Sequence, residues 1–163
     1  MAHYAKLNEN NLVLKVETCD NQNCLDSNNL ENEEVGRQYM ETHSGWSNWK
    51  KTSYNTKAGK HYNDDGTLSD NQDKAFRKNY AQVGGTYDPV NDAFINIKPY
   101  DSWILNQSSF DWEAPVVAPS NGPVAGDSWG LSWDEDNTRW IGRDLSNEDE
   151  YYWDSTNSSW HSL

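Results

Sequence analysis

The chain has 163 residues, enough for one domain or for a domain of about 100 residues with an appendage. Only 34% of its residues are apolar, yet 13% are aromatic, including nine Trp and nine Tyr. Disordered chains are poor in aromatic residues, so we expect a folded protein with a thin core built from rings. The formal net charge of −13 disfavours nucleic-acid binding, because the phosphate backbone would be repelled.

The acidic charge is concentrated in the last part of the chain. Residues 1–100 hold 14 acids and 11 bases, a net charge of −3, whereas residues 101–163 hold 12 acids and two bases, a net charge of −10. The second stretch also contains seven of the nine Trp: Trp103, Trp112, Trp129, Trp133, Trp140, Trp153 and Trp160. We therefore predict a β-rich N-terminal domain over 1–100 and an acidic, Trp-rich hairpin strap over 101–163. Because hairpins alone are marginal in water, the strap must dock on the first part, on another copy or on a larger host.

The elements of the first hundred residues are mixed. Alternating, β-branched residues predict a strand over 11–18. A short helix is predicted over 29–43, with Asn29 as N-cap, acids at its start and Gly45 after its end. Gly36 weakens that helix by about 1 kcal/mol relative to Ala. Residues 113–126 hold three of the five Pro and predict an extended connection.

A short motif recurs along the chain: a large apolar residue, Asp or Asn, two variable residues, a turn residue, two more residues and a second large apolar residue. The two sharpest copies run from Trp133 to Trp140 and from Trp153 to Trp160. Further copies span 87–94, 105–112 and 7–14, and 62–66 supplies a first half. The overall prediction is a mainly β protein, α+β with one short helix, built from antiparallel hairpins.

The motif has the chemistry of a hairpin turn. Asp or Asn favours the first position of a type I turn, and Asn or Gly at the fifth position tolerates a left-handed backbone. That combination predicts a three-residue bulged loop, which would place the two large residues on opposite faces, with Trp140 opposite Ser132 and Trp160 opposite Tyr152. A two- or four-residue loop would instead put both Trp on one face.

Residues that carry out chemistry do not form a recognisable pattern. The four His do not lie near another His or a Cys at metal-ligand spacing, and no phosphate loop or nucleophile motif occurs. The acidic run at 63–66 lacks the alternation of a calcium loop and is interpreted as a turn. We therefore predict a protein that is not an enzyme, with no catalytic residue, cofactor or metal.

Two further features concern partners and compartment. Lysines and one arginine cluster at 50–60 and 74–78; this is an ordinary mixed surface or a contact for nucleic acid or acidic protein, with residues 134–154 of another copy as the preferred partner. No apolar run approaches the ~18 residues of a membrane span, and no secretion signal is evident, so we expect cytoplasmic synthesis and no membrane partner. In a reducing compartment Cys19 and Cys24 are expected to be free thiols.

The chain resembles short, Trp-rich virion-associated proteins of marine tailed phages, cyanophages especially. The resemblance rests on the opening sequence MAHYAKLNENNLVLKV and on the blocks at 49–56, 77–81, 85–88, 92–95, 98–103 and 112–115, together with the closing Trp hairpins. It fits least at 20–40. The resemblance implies a phage structural protein located on the virion, made in the host cytoplasm and without enzymatic residues.

The resemblance leaves the place on the particle open. Our first expectation is a capsid decoration or cement protein that binds the major capsid protein through aromatic hairpins, with the seven Trp of the strap as partner-binding residues. A second is a carbohydrate-binding fibre or tail adhesin module, in which Trp129, Trp133, Trp140, Trp153 and Trp160 form a platform for glycan. A tail or neck accessory protein, a homo-oligomer and an assembly factor absent from the mature particle are the remaining alternatives.

Overall fold

The computed structural model describes residues 1–126 and 128–163. About 35% of the residues are in strands and 12% in helices, which confirms the predicted mainly β fold with one α-helix and antiparallel hairpins. The chain forms two compact units. The first comprises Met1–Ile97 and Leu105–Asp111, and the second Lys98–Ile104 and Trp112–Leu163. The predicted division into a β-rich domain over 1–100 and an acidic hairpin strap over 101–163 stays a prediction.

The first unit is built around a three-stranded antiparallel sheet in the order β2-β1-β3. Its strands are β1 (Ala2–Leu7), β2 (Val13–Cys19) and β3 (Trp49–Thr52). The central strand β1 alternates its side chains between two small cores. Tyr4 packs with Met40 and Trp49 on one face, and Leu7 packs with Tyr87 and Phe94 on the other.

The α-helix α1 (Glu33–Ser44) covers the first of these cores. Its N-cap is Asn32, whose side chain accepts hydrogen bonds from the backbone N–H groups of Glu34 and Val35. The predicted N-cap, Asn29, is therefore wrong by three residues: it has φ 60° and ends a tight loop before the helix. Gly45 caps the C-terminus in a left-handed conformation, with φ 67°.

Shorter elements complete the first unit. They are two 3-10 helices, Asn21–Cys24 and Gln72–Lys74, and the strand pairs β4 (Thr56–Lys57) with β5 (Lys60–His61) and β6 (Thr86–Asp88) with β7 (Ala93–Ile95). Asn79, which is 2% exposed, joins them: its side chain accepts from Ala58 N–H and donates to the carbonyls of Phe94 and Phe110. The buried Asn79 side chain therefore links these segments through hydrogen bonds, in a chain that has few apolar residues to pack between them.

The second unit contains a four-stranded antiparallel sheet in the order β10-β11-β12-β13, which we call the tryptophan sheet. Its strands are β10 (Trp129–Asp134), β11 (Arg139–Asp144), β12 (Glu150–Asp154) and β13 (Ser159–Ser162). Two further short strands, β8 (Ile104–Leu105) and β9 (Trp112–Glu113), pair with each other and flank residues 106–111, which belong to the first unit.

The repeated motif forms two kinds of tight loop. Three-residue loops at 9–11 and 64–66 end in a left-handed residue, Asn11 or Gly66, as predicted. A third such loop at 27–29 was not anticipated, because its motif lacks the second apolar residue. Four-residue loops occur at 89–92, 107–110, 135–138 and 155–158, and another at 145–148 lies outside the motif; in each the left-handed residue is the last one.

The three-residue loop predicted for the Trp hairpins is thus wrong. Trp133 is paired with Trp140 and Trp153 with Trp160, so Ser132 and Tyr152 face Ile141 and His161 instead. The cause is a hydrogen-bonded clasp. The Asn137 side chain donates to the carboxylate of Asp134, which in turn accepts from the Asn137 backbone N–H, and Asn137 keeps a negative φ. The left-handed step therefore falls one residue later, on Thr138, with φ 52°.

Candidate functional site

Five of the predicted Trp lie on one face of the tryptophan sheet. Side chains alternate along a strand, and the register pairs Trp133 with Trp140, Gly142 with Tyr151 and Trp153 with Trp160. These pairings bring Trp129, Trp133, Trp140, Trp153 and Trp160 to the same side, which we call the tryptophan face. The four-residue loops decide this arrangement, because a loop one residue shorter would have reversed one Trp of each hairpin.

The rings form two clusters. In the first, Trp133 and Trp140 have ring centroids 5.1 Å apart, and Trp103 lies 6.3 and 6.1 Å from them. In the second, Trp153 lies 5.3 Å and Trp129 6.4 Å from Trp160. Interplanar angles of 61–85° make these contacts edge to face, the arrangement favoured by the ring quadrupoles. The rings thus do not form a coplanar platform.

The proline-rich segment, residues 113–126, contacts the tryptophan face. Its carbonyl groups at Val116 and Asn121 accept hydrogen bonds from the indole N–H groups of Trp140 and Trp160, at 2.8 and 2.9 Å. Gly122 touches the Trp129 ring so closely that a Cβ there would lie 2.3 Å from the indole nitrogen. Most of the predicted partner-binding rings are therefore engaged by their own chain.

The remaining Trp positions differ in their surroundings. The Trp133 indole N–H donates to Glu135, whose carboxylate also accepts from the Ser102 backbone N–H and hydroxyl. Trp103 is half-buried and its indole nitrogen is buried without a hydrogen-bond partner among the described residues. Trp112 receives the ammonium group of Lys98 over its ring at 5.3 Å. Tyr100, which the sequence did not single out, packs 5.5 Å from Trp103.

An opening lies beside the tryptophan face. A groove of about 520 Å³ runs between the proline-rich segment and the loop at 155–158, and it is lined by Trp153 and by Pro115, Val117 and Pro119. Trp153 is half-buried, in contrast to Trp133, which is 7% exposed. Among the seven Trp, Trp153 is the one that lines this groove.

Acidic groups surround the tryptophan sheet at both ends. The hydrogen bond from the Asn137 side chain lowers the pKa of Asp134, and the hydrogen bond from the Ser102 hydroxyl lowers that of Glu135. The pKa of Asp144 is lowered by the Ser146 hydroxyl and that of Asp154 by the Thr156 backbone N–H. These carboxylates are therefore ionised at neutral pH, and Asp136, Glu148 and Glu150 add exposed acids in or beside the same loops.

The predicted basic region of the first unit is partly neutralised. Lys51 forms an ion pair with Glu31 at 2.8 Å, and Arg77 pairs with both Glu33 and Asp92 at 2.8 Å. The guanidinium of Arg77 also donates to the carbonyl of Lys51. Arg77 is thus a structural hub of the first unit rather than an exposed contact, and the exposed cations that remain are Lys57, Lys60 and Lys74.

The first unit also holds an open cavity of about 580 Å³. Its walls carry His3, His61 and the acids Glu31, Asp64 and Asp73. The ring of His3 stacks near Tyr54 and bonds the Tyr80 hydroxyl at 2.9 Å, and burial lowers the pKa of His3. Within residues 1–126 and 128–163, no three His, Cys, Asp or Glu side chains lie close enough together to hold a metal ion.

Comparisons with known proteins identify no relative. A scan of protein families, a search of curated proteins and a search of solved structures each find no match for this chain. Of the helices in the described part of the chain, none has the length and apolar character needed to cross a membrane.

Proposed function

We propose that the chain is a non-enzymatic structural protein of a tailed-phage particle, on which it binds the capsid surface as a decoration protein. The observation that supports this best is the tryptophan sheet, a scaffold of interlocked rings whose loops present acids at both ends. A major capsid protein with a basic outer patch is the partner that fits this surface.

The physical basis is pre-organisation combined with charge. The Trp pairs and the Asp–Asn clasps hold the loops at 135–138 and 155–158 in one conformation, which reduces the entropy lost when these loops bind. Ionised carboxylates in the loops attract a basic partner and accelerate association. Contacts that are individually weak add up on a shell with many equivalent sites.

The other candidate functions receive less support from the geometry. A glycan platform needs a flat, accessible ring, whereas the rings of the tryptophan face meet edge to face, and two donate their N–H groups to the proline-rich segment. A tail or neck position would use the same acidic loops on a different basic partner.

Mass spectrometry of the purified particle is the first test. We expect this chain among the virion proteins, in a copy number comparable with that of the capsid subunits. Co-sedimentation of labelled chain with particles that lack it should then show saturable binding to heads rather than to isolated tails. Absence from the particle would refute the proposal, and binding confined to tails would refute the capsid assignment.

A charge-neutralised variant tests the acidic surface directly. The triple substitution Asp136→Asn, Glu148→Gln, Glu150→Gln alters three exposed acids of the second unit. We expect roughly tenfold weaker binding to particles and a shallower dependence on salt. The matched control, Glu9→Gln, Asp70→Asn, Asp73→Asn, makes the same charge change on exposed acids of the first unit and should bind like the natural chain.

A further inference from the structure

The two cysteines form a buried pair that the proposed function does not use. Their sulfur atoms are 3.3 Å apart, and the thiol of Cys24 donates to Cys19. Both residues are almost fully buried, at 2% and 0% exposure. Since a disulfide has a sulfur–sulfur distance of about 2.05 Å, closing the bond requires a shift of about 1.2 Å. We propose that this pair is an oxidative modification site, at which a small-molecule disulfide such as oxidised glutathione produces a Cys19–Cys24 bond.

The pair is held by elements that are fixed independently. Cys19 is the last residue of β2 and is paired with Ala2 in β1. Cys24 ends the 3-10 helix Asn21–Cys24, and its carbonyl accepts a hydrogen bond from Asn32 N–H at 2.7 Å. Because Asn32 caps α1, the sulfur pair lies where β2 turns towards the start of the helix. The fold, rather than the short sequence separation alone, therefore sets the sulfur–sulfur distance.

Residues of β1 and α1 also enclose the sulfur atom of Cys24. The hydroxyl of Tyr4 donates to the carbonyl of Glu33 at 3.2 Å and lies 4.0 Å from the sulfur of Cys24. A Cβ on Gly36 would lie 2.9 Å from the same sulfur, so the helix backbone passes directly beside it. A sulfur enclosed in this way has little freedom to move away from its partner. This restriction favours closure of the bond once an oxidant is available.

The reaction is an ordinary thiol–disulfide exchange. One cysteine thiolate attacks a sulfur of oxidised glutathione, forms a mixed disulfide and releases one glutathione thiolate. The second cysteine thiolate attacks the protein sulfur of that mixed disulfide and releases the second glutathione. The two cysteines are oxidised, one glutathione disulfide is reduced to two thiols, and the two protons lost by the cysteines are recovered by the glutathione thiolates.

Burial controls the rate of this exchange. Desolvation, with the hydrogen bond from Cys24, raises the pKa of Cys19 to about 12, so its thiolate is scarce at neutral pH. The thiolate is the attacking species, and the oxidant must also reach it. Exchange in the folded chain therefore proceeds through opening of the segment around 20–24, and we expect it to be slow relative to an exposed thiol pair.

The position of the equilibrium tests the proposal. The reduced full-length chain is equilibrated in glutathione buffers of graded ratio, quenched and alkylated, and the oxidised fraction is measured by intact mass, both in native buffer and in concentrated guanidinium chloride. If the fold positions the sulfur atoms for bonding, the effective concentration of one thiol towards the other should be roughly 20- to 50-fold higher in the native chain, the range expected for so short a loop.

Two outcomes would overturn the proposal. One is a native effective concentration equal to or below that of the denatured chain, because the fold would then hold the sulfur atoms apart. The other is a native chain that accumulates only mixed disulfides with glutathione. The Cys24→Ser variant is the control for mass assignment, since its single cysteine can form the mixed disulfide but no internal bond.

Discussion

Gly36 illustrates how a residue that lowers helix propensity can be required by packing. From sequence, its place in α1 counts against the helix. In the structure, a Cβ at this position would lie 2.0 Å from the Tyr4 hydroxyl oxygen and 2.7 Å from the adjoining ring carbon. The glycine therefore permits α1 to approach β1 and to cover the core that contains Tyr4, Met40 and Trp49.

We expect Gly36→Ala to destabilise the protein although it raises helix propensity. The propensity gain is about 1 kcal/mol, whereas overpacking a core costs typically 1–3 kcal/mol, so a net loss of about 1 kcal/mol is expected. Thermal and urea denaturation measure it. Adding Tyr4→Phe removes the closest atom, so the double variant should lose less than the sum of the two single changes. A stabilised Gly36→Ala protein would contradict the close approach.

The two Trp hairpins are expected to respond differently to substitution. Trp133 is 7% exposed and contacts both Trp103 and Trp140, so Trp133→Ala should cost about 3–5 kcal/mol of unfolding free energy. Trp153 is half-buried beside the open groove, and Trp153→Ala should cost clearly less. Denaturation followed by Trp fluorescence measures both. Equal losses of stability in Trp133→Ala and Trp153→Ala would contradict the expected difference between the two hairpins. If Trp153 contacts a partner, Trp153→Ala should also weaken particle binding while the sheet stays folded.

At the level of the element, the copies of the motif with Asn or Gly at the fifth position follow a rule that involves two side chains, whereas the four-residue loops at 107–110 and 145–148 form without it. When the fifth residue of the motif clasps the first Asp, as Asn91, Asn137 and Asn157 do, the loop has four residues. When the fifth residue is itself left-handed, as Asn11 and Gly66 are, the loop has three. The same amide side chain is thus compatible with both loops, and the choice decides which residues share a face.

Thr138 gives the test of this rule. It is β-branched and left-handed, with φ 52°, a conformation that costs L-residues roughly 1–2 kcal/mol and glycine very little. We therefore expect Thr138→Gly to increase the free energy of unfolding by up to about 1 kcal/mol. Thermal denaturation should show this as a higher midpoint. Thr156→Gly is the control, because Thr156 lies in the equivalent hairpin without a positive φ and gains nothing from glycine. A loss of stability in Thr138→Gly would contradict the four-residue loop.

For the whole molecule, the many clasped carboxylates predict sensitivity to acid. The pKa values of Asp65, Asp88, Asp134, Asp144 and Asp154 are all lowered, in each case mainly by hydrogen bonds from turn residues. A lowered folded-state pKa contributes stability above the unfolded-state value of about 4, and that stability is lost as the pH falls through the folded-state values.

The thermal midpoint should therefore fall as the pH is lowered from about 5 to 2, even though protonation also relieves the repulsion from a net charge of −13. Asp154→Asn preserves a side-chain oxygen for the turn N–H groups but removes one titrating group. Its midpoint should decrease less steeply with acid than that of the natural chain. A midpoint that rises on acidification would show that charge repulsion outweighs the clasps.

The extent of prediction from sequence differs between fold and candidate site. Alternation and turn chemistry are local properties, so β2, α1 and the existence of the hairpins could be predicted within a few residues. The cluster of Trp103, Trp133 and Trp140 could not be predicted, nor could the contact between residues 113–126 and the tryptophan face. Indole N–H groups and backbone carbonyls pair there across long separations in sequence. From the sequence, each buried Trp indicates that its indole N–H needs an acceptor, but the sequence does not show which carbonyl supplies it.

The amino-acid sequence by itself determined a mainly β chain with one helix, tight Asp and Asn turns and an acidic, Trp-rich C-terminal part. These follow from residue type and spacing, which act over a few neighbouring residues. Only the tertiary structure decided that the two Trp of each hairpin share a face, that residues 113–126 cover them and that the sulfur atoms of Cys19 and Cys24 meet. The physical reason is that the length of the Trp hairpin loops depends on whether Asn turns left-handed or clasps Asp, and that burial is decided by elements distant in the chain.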